Sequence, residues 1–237
     1  MFRAEIDGRA LTFFHTNMVG MNFTFVDQET RTRWQQETGE AIDGTHKGRR
    51  LEIHPFLITT WKEWRERNPK TMAMTPVPGL EELYAQMWQT ILARKPGTPG
   101  PPADRIARED SRLSAYEPIV GLEAGGARRA YPMSALAMER VVNDQVGREP
   151  VLIVYAPASD TVTVFSRSLG SRTLTFGPHA QSSELIDRET GSRWNTYGEC
   201  LSGELRGRKL NALVGMRQFW WAWAAFHPDT DIYGSKP

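Results

Sequence analysis

The stretch LIDRETGSRW at residues 185–194 closely resembles FVDQETRTRW at residues 25–34, so the chain contains nearly the same sequence twice. Other landmarks recur in the same order in both halves. They are RALTF (9–13) with RTLTF (172–176), GEAIDGTHKGRRL (39–51) with GECLSGELRGRKL (198–210), and Trp61, Trp64, Pro69 and Thr71 with Trp220, Trp223, Pro228 and Thr230. A solenoid would repeat at intervals of roughly 20 to 50 residues, which are much shorter than the distance along the chain between these matched landmarks. The pattern therefore predicts a duplicated domain.

Each copy has the hydrophobic pattern of β structure. VLIVYAP (151–157) is a short apolar run that predicts a buried strand, and TVTVF (161–165) alternates as half-buried strands do. The repeated stretch predicts a hairpin that turns through Glu189–Ser192, where Gly191 can take a positive φ. We therefore predict an α+β fold in which antiparallel β structure predominates.

Helices are predicted at three places. A short helix is expected to close each copy, around residues 61–67 and 217–226, because two tryptophans three positions apart share one face and a proline follows. The clearest helix is GLEELYAQMWQTILAR (79–94), which lies between the copies and is strongly amphipathic. Its apolar residues are Leu80, Leu83, Tyr84, Met87, Trp88, Ile91 and Leu92.

The charged residues at the two ends of the predicted linker helix match its dipole, and a Pro/Gly-rich stretch ends it. Glu81 and Glu82 suit the N-terminal end, Arg94 and Lys95 suit the C-terminal end, and PGTPGPPAD then forms a stiff linker. We expect the apolar stripe of this helix to pack on one copy or between the two.

The two copies are unequal in length. Aligned on the shared landmarks, Met1 corresponds to Val164, so the first copy has no counterpart of residues 121–163, which contain the strongest strand. The predicted domains are a truncated N-terminal copy (1–75), the helix and Pro/Gly-rich linker (76–112), and a complete C-terminal copy (113–237).

A sheet that lacks its central strand exposes unpaired backbone groups and apolar surface, which is costly. Three explanations follow for the first copy. The natural reading frame begins upstream, the first copy packs on the second as a remnant, or another chain supplies the missing strand. In the last case the partner is another protein or a second copy of this chain.

Composition excludes several classes of function. The 237 residues include 29 Lys and Arg against 28 Asp and Glu, so no positive field favours nucleic-acid binding. No apolar run approaches the roughly 20 residues that span a bilayer. The single cysteine, Cys200, excludes an intrachain disulfide and is expected to be a small buried residue. As written, the chain is expected in the cytoplasm; a start further upstream would allow the cell envelope or periplasm.

The histidines show no spacing typical of a metal motif, and the sequence assigns no metal or cofactor. Asn143 and Asp144 are expected to turn the chain before a glycine-bearing loop. Alternatively, their side chains lie at a pocket mouth beside Glu139, where two carboxylates could transfer protons or hold a hard cation. The candidate pocket comprises Glu139, Asn143, Asp144, Tyr155, Ser159 and His179.

His179 follows the LTFGP stretch and either faces the turn at residues 156–159 or is an exposed loop residue. The residues that recur in both copies favour a structural role, because a catalytic site rarely needs duplicating. We expect an acid to anchor the hairpin turn and a tryptophan to fill the core of each copy. These positions are Asp27, Trp34, Asp187, Arg193 and Trp194.

Several short motifs in the second copy match a known family. They are GLEAGGARRAYPMSAL (121–136), VVND (141–144), VLIVYAP (151–157), TVFSR (163–167), LTFG (174–177), LIDRETGSRW (185–194) and HPDT (227–230). In this order and spacing, residues 121–234 resemble the bacterial Domain of Unknown Function 3179 family, and the first copy carries its latter half. The resemblance implies no established activity, although members often look exported or envelope-attached.

The chain departs from the family pattern at the positions best suited to chemistry. The family usually has a histidine shortly before VVND, where this chain has Glu139. After the buried strand it usually has a C-P-x-C-like turn, which here reads Ala156, Pro157, Ala158 and Ser159. Two thiols and an imidazole would suit thiol redox chemistry or a soft metal, and this chain has none of the three.

The leading functional hypothesis is therefore a non-catalytic binding or scaffolding module with a degenerate Cys/His site. The alternative is a metal- or carboxylate-dependent enzyme with a site around Glu139, Asp144, Ser159 and His179.

Overall fold

A computed structural model describes residues 1–92, 96–179 and 182–234. The fold is α+β with β structure predominating, as predicted, and its sheets are mostly antiparallel. The helices are α1 (Trp61–Arg67), α2 (Glu81–Leu92), α3 (Met133–Glu139) and α4 (Trp220–Phe226). The strands are β1 (Glu5–Ile6), β2 (Arg9–Ala10), β3 (Phe13–Val19), β4 (Asn22–Asp27), β5 (Arg33–Gln35), β6 (Ala41–Asp43), β7 (Pro118–Ala124), β8 (Ala127–Pro132), β9 (Val141–Val146), β10 (Glu149–Ala156), β11 (Thr161–Ser166), β12 (Ser168–Leu169), β13 (Arg172–Thr173), β14 (Phe176–Pro178), β15 (Leu185–Asp187), β16 (Arg193–Trp194), β17 (Cys200–Ser202), β18 (Gly215–Phe219) and β19 (Asp231–Ile232).

The two halves contain the same series of elements. In the first half, the β1–β2 ladder leads into a four-stranded sheet of order β3-β4-β5-β6, and α1 follows. In the second half, the β12–β13 ladder leads into a sheet of order β14-β15-β16-β17, and α4 follows. The hairpin β3–β4 is longer than its counterpart β14–β15.

Backbone hydrogen bonds at the start of each series also correspond. The N–H of His54 donates to the carbonyl of Met1 at 2.8 Å, as the N–H of Leu213 donates to the carbonyl of Val164 at 2.9 Å. The isolated bridge between Phe2 and Ile53 matches the one between Phe165 and Ala212. These bonds set Met1 in the place of Val164, which is the alignment that the shared landmarks indicate.

Strands β7 to β10 occur in the second half alone. Strands β7 and β8 lie between β18 and β19 in a sheet of order β18-β7-β8-β19, in which β19 is parallel to β8. Strands β9 and β10 form a second sheet with β11, of order β11-β10-β9. The central strand β10 is buried on both faces, because Val151 and Ile153 pack in one hydrophobic cluster and Leu152 and Val154 pack in another. The apolar run VLIVYAP thus forms the buried strand that its composition favours.

Helix α2 does not pack as the sequence predicts. Its apolar side chains at positions 80, 83, 84, 87 and 88 are between 36% and 61% exposed. Amphipathic spacing shows which face of a helix would be buried, but the covering surface has to come from elsewhere in the fold. The side chains of Ile91 and Leu92, and all of Arg94 and Lys95, lie outside the described residues.

Asn143 and Asp144 do not turn the chain, so that prediction was wrong. Both lie within β9, which pairs in register with β10 from Val141 to Val146. Pairing with a strongly apolar neighbouring strand overrides the local turn preference of an Asn-Asp pair. The two side chains therefore point to opposite faces of the sheet.

The two halves contact each other through polar residues as well as apolar ones. Glu37 of the first half is buried and accepts a hydrogen bond of 2.7 Å from the Nε2 of Gln218. The Nε2 of buried His227 lies 3.6 Å from the Oε1 of the same Glu37. On the surface, Arg50 bonds Glu123 at 3.3 Å. The first half therefore rests against the second.

Candidate functional site

A cleft of about 570 Å³ lies between the two halves. The first half contributes residues 54–58 and Trp64 and Arg67 of α1. The second half contributes residues 162–165 of β11 and the segment from Ala212 to Arg217, which includes the start of β18. Strands β11 and β18 are both edge strands of their sheets, so the cleft is bordered by sheet edges.

The walls of the cleft are mostly apolar, and a cluster of polar residues lines one part of it. There the Arg67 guanidinium lies 3.4 Å from the centroid of the Tyr197 ring. Glu199 lies 3.8 Å from Arg67 and 3.2 Å from the Nζ of Lys209. This part of the cleft presents two cations that share one carboxylate.

Tyr197 is held as a hydrogen-bond donor in that part of the cleft. Its hydroxyl donates to the carboxylate of Glu63 in the first turn of α1. Burial and the Glu63 charge raise the pKa of Tyr197 to about 12. The phenol therefore stays protonated at neutral pH and links α1 to the second half.

Asp144, from the predicted pocket, is engaged on both carboxylate oxygens. Arg129 donates to them at 2.8 and 3.0 Å, and the Tyr131 hydroxyl donates at 2.7 Å. The backbone N–H of Gln145 adds a bond of 2.7 Å. Burial raises the pKa of Tyr131, so this phenol remains a donor. These contacts leave little acceptor capacity at Asp144 for a cation.

Glu139 belongs to the same network through a second tyrosine. The Tyr233 hydroxyl donates to Glu139 at 2.9 Å, and the rings of Tyr233 and Tyr131 lie 5.1 Å apart. Burial and Glu139 raise the pKa of Tyr233 to about 12. The structure thus links Glu139 and Asp144 through two tyrosines whose rings are in contact at an angle of 32°.

Two further residues of the predicted pocket meet at the turn that follows β10. The Tyr155 hydroxyl donates to Asp160 at 3.1 Å, and Arg217 donates to the same carboxylate at 2.7 Å. The Ser159 hydroxyl lies 2.8 Å from that of Thr161, which donates to Thr59 of the first half at 2.8 Å. This turn therefore lies beside the cleft, where the halves meet.

The remaining two residues of the predicted pocket, Asn143 and His179, make other contacts. The Asn143 side chain bridges β9 and β14, because it donates to the carbonyl of Phe176 at 2.7 Å and accepts from its N–H at 2.8 Å. His179 lies in a loop, where its Nδ1 is 3.1 Å from the hydroxyl of Ser182. Within residues 1–92, 96–179 and 182–234, no group of three His, Cys, Asp or Glu side chains is placed to hold a metal ion.

The recurring aspartate makes the same hydrogen bonds in each half. Asp187 accepts from the N–H and hydroxyl of Thr190 at 2.7 and 2.8 Å and from the indole Nε1 of Trp194 at 2.8 Å. Asp27 accepts the same three bonds from Thr30 and Trp34. Both carboxylates and both indoles are fully buried. This geometry ties each hairpin turn to the tryptophan in its core.

Arg193, the remaining recurring position, bonds Glu184 at 2.7 Å on the surface of its sheet. Its counterpart is Arg33 on β5. An exposed pair of this kind contributes little to stability, on the order of 1 kcal/mol or less.

The matched hairpins have different residues at the same left-handed backbone position. Arg31 has φ +57°, whereas its counterpart Gly191 has φ +66°. A non-glycine residue in this region costs roughly 1–2 kcal/mol, partly offset by the greater freedom of glycine in the unfolded chain. We expect Arg31→Gly to raise the free energy of unfolding by about 0.5–1 kcal/mol, measured by urea denaturation. The reciprocal Gly191→Arg should lower it, and a loss of stability in Arg31→Gly would contradict the argument.

The residues that line the cleft were not predicted from the sequence. Phe56, Ile58 and Arg67 carry no motif, and Tyr197 lies in an unremarkable loop of the second half. One signal was present: residues 56–60 align with 215–219, which form β18. Residues 215–219 form a strand, whereas the aligned residues 56–60 do not, and the site lies where the two halves differ in this way.

Comparison with known families gives a clear match. The family model described as "Protein of unknown function (DUF3179)" matches residues 1–91, 96–182 and 179–230. Neither a curated protein nor a solved structure matches the chain. Among the described residues, no helix has the length and apolar character needed to cross a membrane. Because the three matched segments together cover most of its length, the chain belongs to the DUF3179 family.

Proposed function

We propose that this protein is a non-catalytic binding module and that the cleft between its halves is the ligand site. The observation that carries the proposal is the cleft of about 570 Å³ with mostly apolar walls and a cluster of polar residues in its lining. Ligand sites in proteins commonly have volumes of roughly 300–1,000 Å³, lie at domain interfaces and combine apolar walls with a few polar groups. Arg67 and Lys209 favour a ligand that carries a negative group beside its apolar part.

The turn beside the cleft supports a non-catalytic role. Ala156 and Ala158 can neither coordinate a metal nor attack a substrate. The Ser159 hydroxyl is buried and bonded to that of Thr161. The turn is therefore the degenerate remainder of a Cys/His site in this proposal, with a structural role between the halves.

The proposal predicts that an apolar anionic probe binds in the cleft. We expect 8-anilinonaphthalene-1-sulfonate to bind the folded protein with increased fluorescence. Ile58→Trp fills the cleft from its wall and should weaken the affinity roughly tenfold, which corresponds to about 1.4 kcal/mol. Ile58 is 45% exposed, so the larger side chain can be accommodated without unfolding.

A matched control is Leu201→Trp on β17. Leu201 is 43% exposed and does not line the cleft. Both variants should keep the far-ultraviolet circular dichroism of the parent protein. Equal probe affinity in the parent, Ile58→Trp and Leu201→Trp would place the probe elsewhere and count against the cleft as the site.

The alternative, a carboxylate- or metal-dependent enzyme around Glu139, Asp144, Ser159 and His179, stays a prediction. The link between Glu139 and Asp144 through Tyr131 and Tyr233 favours it. The hydrogen bonds that occupy both oxygens of Asp144 favour a structural role instead. The binding module is therefore the better-supported function.

A further inference from the structure

The segment that precedes α1 is the counterpart of β18. In the second half, the indole Nε1 of Trp223 donates to Thr230 at 2.9 Å, and in the first half that of Trp64 donates to Thr71 at 3.1 Å. The N–H of Asn68 caps α1 by donating to the carbonyl of Trp64, as His227 does to Trp223. Residues 56–60 therefore stand before α1 as residues 215–219 stand before α4.

In the second half, this unit is covered by β7. Strand β18 pairs antiparallel with β7 from Gly215 opposite Leu122 to Phe219 opposite Pro118. Trp220 and Trp223 are 0% and 1% exposed. A Cβ added at Gly121 would overlap the Trp223 ring, so only glycine allows β7 to lie this close to α4.

In the first half, the equivalent unit is open. Trp61 and Trp64 are 50% and 39% exposed, and Phe56 and Ile58 are also exposed. From residue 55 to residue 59, no backbone N–H or C=O bonds another residue that the structure describes. An unpaired segment with alternating exposed apolar side chains is a template for strand addition.

We infer that the ligand of the cleft is an extended peptide segment of a different protein, which pairs antiparallel with residues 56–60 as β7 pairs with β18. The inference rests on the proposed function and names its ligand class. Strand β7 of the second half indicates what this peptide should contain. It should have apolar side chains at alternate positions and a glycine that faces Trp64 as Gly121 faces Trp223. Its backbone would bond residues 56–60, and its side chains would cover Trp61 and Trp64.

The test uses a synthetic peptide with the sequence of residues 117–125, EPIVGLEAG, capped at both ends and carrying a fluorophore. We expect saturable binding to the full chain, measured by fluorescence anisotropy. Trp64→Ala should weaken binding at least tenfold, because it removes the surface on which the peptide glycine packs. The control Trp88→Ala removes a tryptophan of α2 that is 61% exposed, against 39% for Trp64, and should leave the affinity unchanged.

Peptide variants separate strand pairing from simple apolar binding. Replacing the central glycine with valine should abolish binding by clashing with Trp64. One peptide carries N-methyl groups at the positions of Ile119, Gly121 and Glu123, and another carries them at Val120, Leu122 and Ala124. Alternate amides of a strand point in opposite directions, so one methylated peptide should lose binding and the other should retain it.

The outcomes distinguish this inference from the proposed function. If both methylated peptides and the valine peptide bind as the parent peptide does, or if no peptide binds while the anilinonaphthalene probe does, strand addition is overturned and the cleft remains a binding site. If neither probe nor peptide binds, the proposed function falls as well. Self-association that Trp64→Ala abolishes, without peptide binding, would assign the face to a second copy of the chain and overturn the inference.

Discussion

Trp223→Ala is expected to lower the free energy of unfolding by about 3–5 kcal/mol, whereas Trp64→Ala should cost only about 1–2 kcal/mol. The two side chains occupy equivalent positions and make the same hydrogen bond to a threonine. Trp223 is buried under β7, so its removal leaves a cavity in the core. Trp64 is partly in water already and leaves none. Guanidinium denaturation followed by circular dichroism measures both values.

Each variant serves as the control for the other, because the substitution and the local hydrogen bonds are the same at Trp64 and Trp223. Equal costs for the two variants would show that α1 is covered in solution as fully as α4 is. That result would contradict an open face in the first half. Saturation with a bound strand should increase the cost of Trp64→Ala but leave that of Trp223→Ala unchanged.

Asp187→Ala is expected to lower the free energy of unfolding by about 3–5 kcal/mol. The substitution leaves the buried indole N–H of Trp194 and the buried groups of Thr190 without their acceptor. Asp187→Asn keeps a carbonyl oxygen and should cost less. Urea denaturation of the two variants measures the difference, and a loss below about 1 kcal/mol for Asp187→Ala would show that the turn does not depend on its carboxylate.

The corresponding acid of the first half adds a dependence on pH. Burial acts to raise the pKa of Asp27, but hydrogen bonds from Trp34 and Thr30 outweigh it and hold the pKa below its ordinary value. A carboxylate with a lowered folded-state pKa stabilises the protein above its unfolded pKa, and that contribution disappears as the pH falls through the folded pKa. Stability should therefore decrease on the acid side in the parent protein, and Asp27→Ala should lose this part of the dependence.

Much of the fold followed from local chemistry that the sequence displays. The repeated hairpin could be predicted because its turn depends on a few neighbouring residues, such as Asp187 and Gly191. The bounds of α1 agree with the predicted helix at 61–67, because a threonine cap and a following proline mark its ends. Helix α4 begins three residues later than predicted, at Trp220, because residues 215–219 pair with β7 instead.

The errors lie where distant residues decide the structure. Asn143 and Asp144 have the composition of a turn, yet pairing with β10 holds them in a strand. The stripe of α2 was expected to be covered, and its described side chains are exposed. The predicted pocket stays a prediction: Glu139 and Asp144 are linked through Tyr233 and Tyr131, the Asn143 side chain bonds the backbone of Phe176, and His179 lies close to Ser182.

From the sequence alone we could recognise the repeated landmarks of two β-rich stretches, and the acid and tryptophan that recur in each predicted hairpin. These features depend on residue order and on interactions within a few positions. The tertiary structure was needed to show that residues 54–58 border a cleft, that the backbone of residues 55–59 bonds no other described residue, and that Trp61 and Trp64 are open to solvent. Burial and strand pairing depend on which surfaces meet, and residues far apart in the chain supply those surfaces.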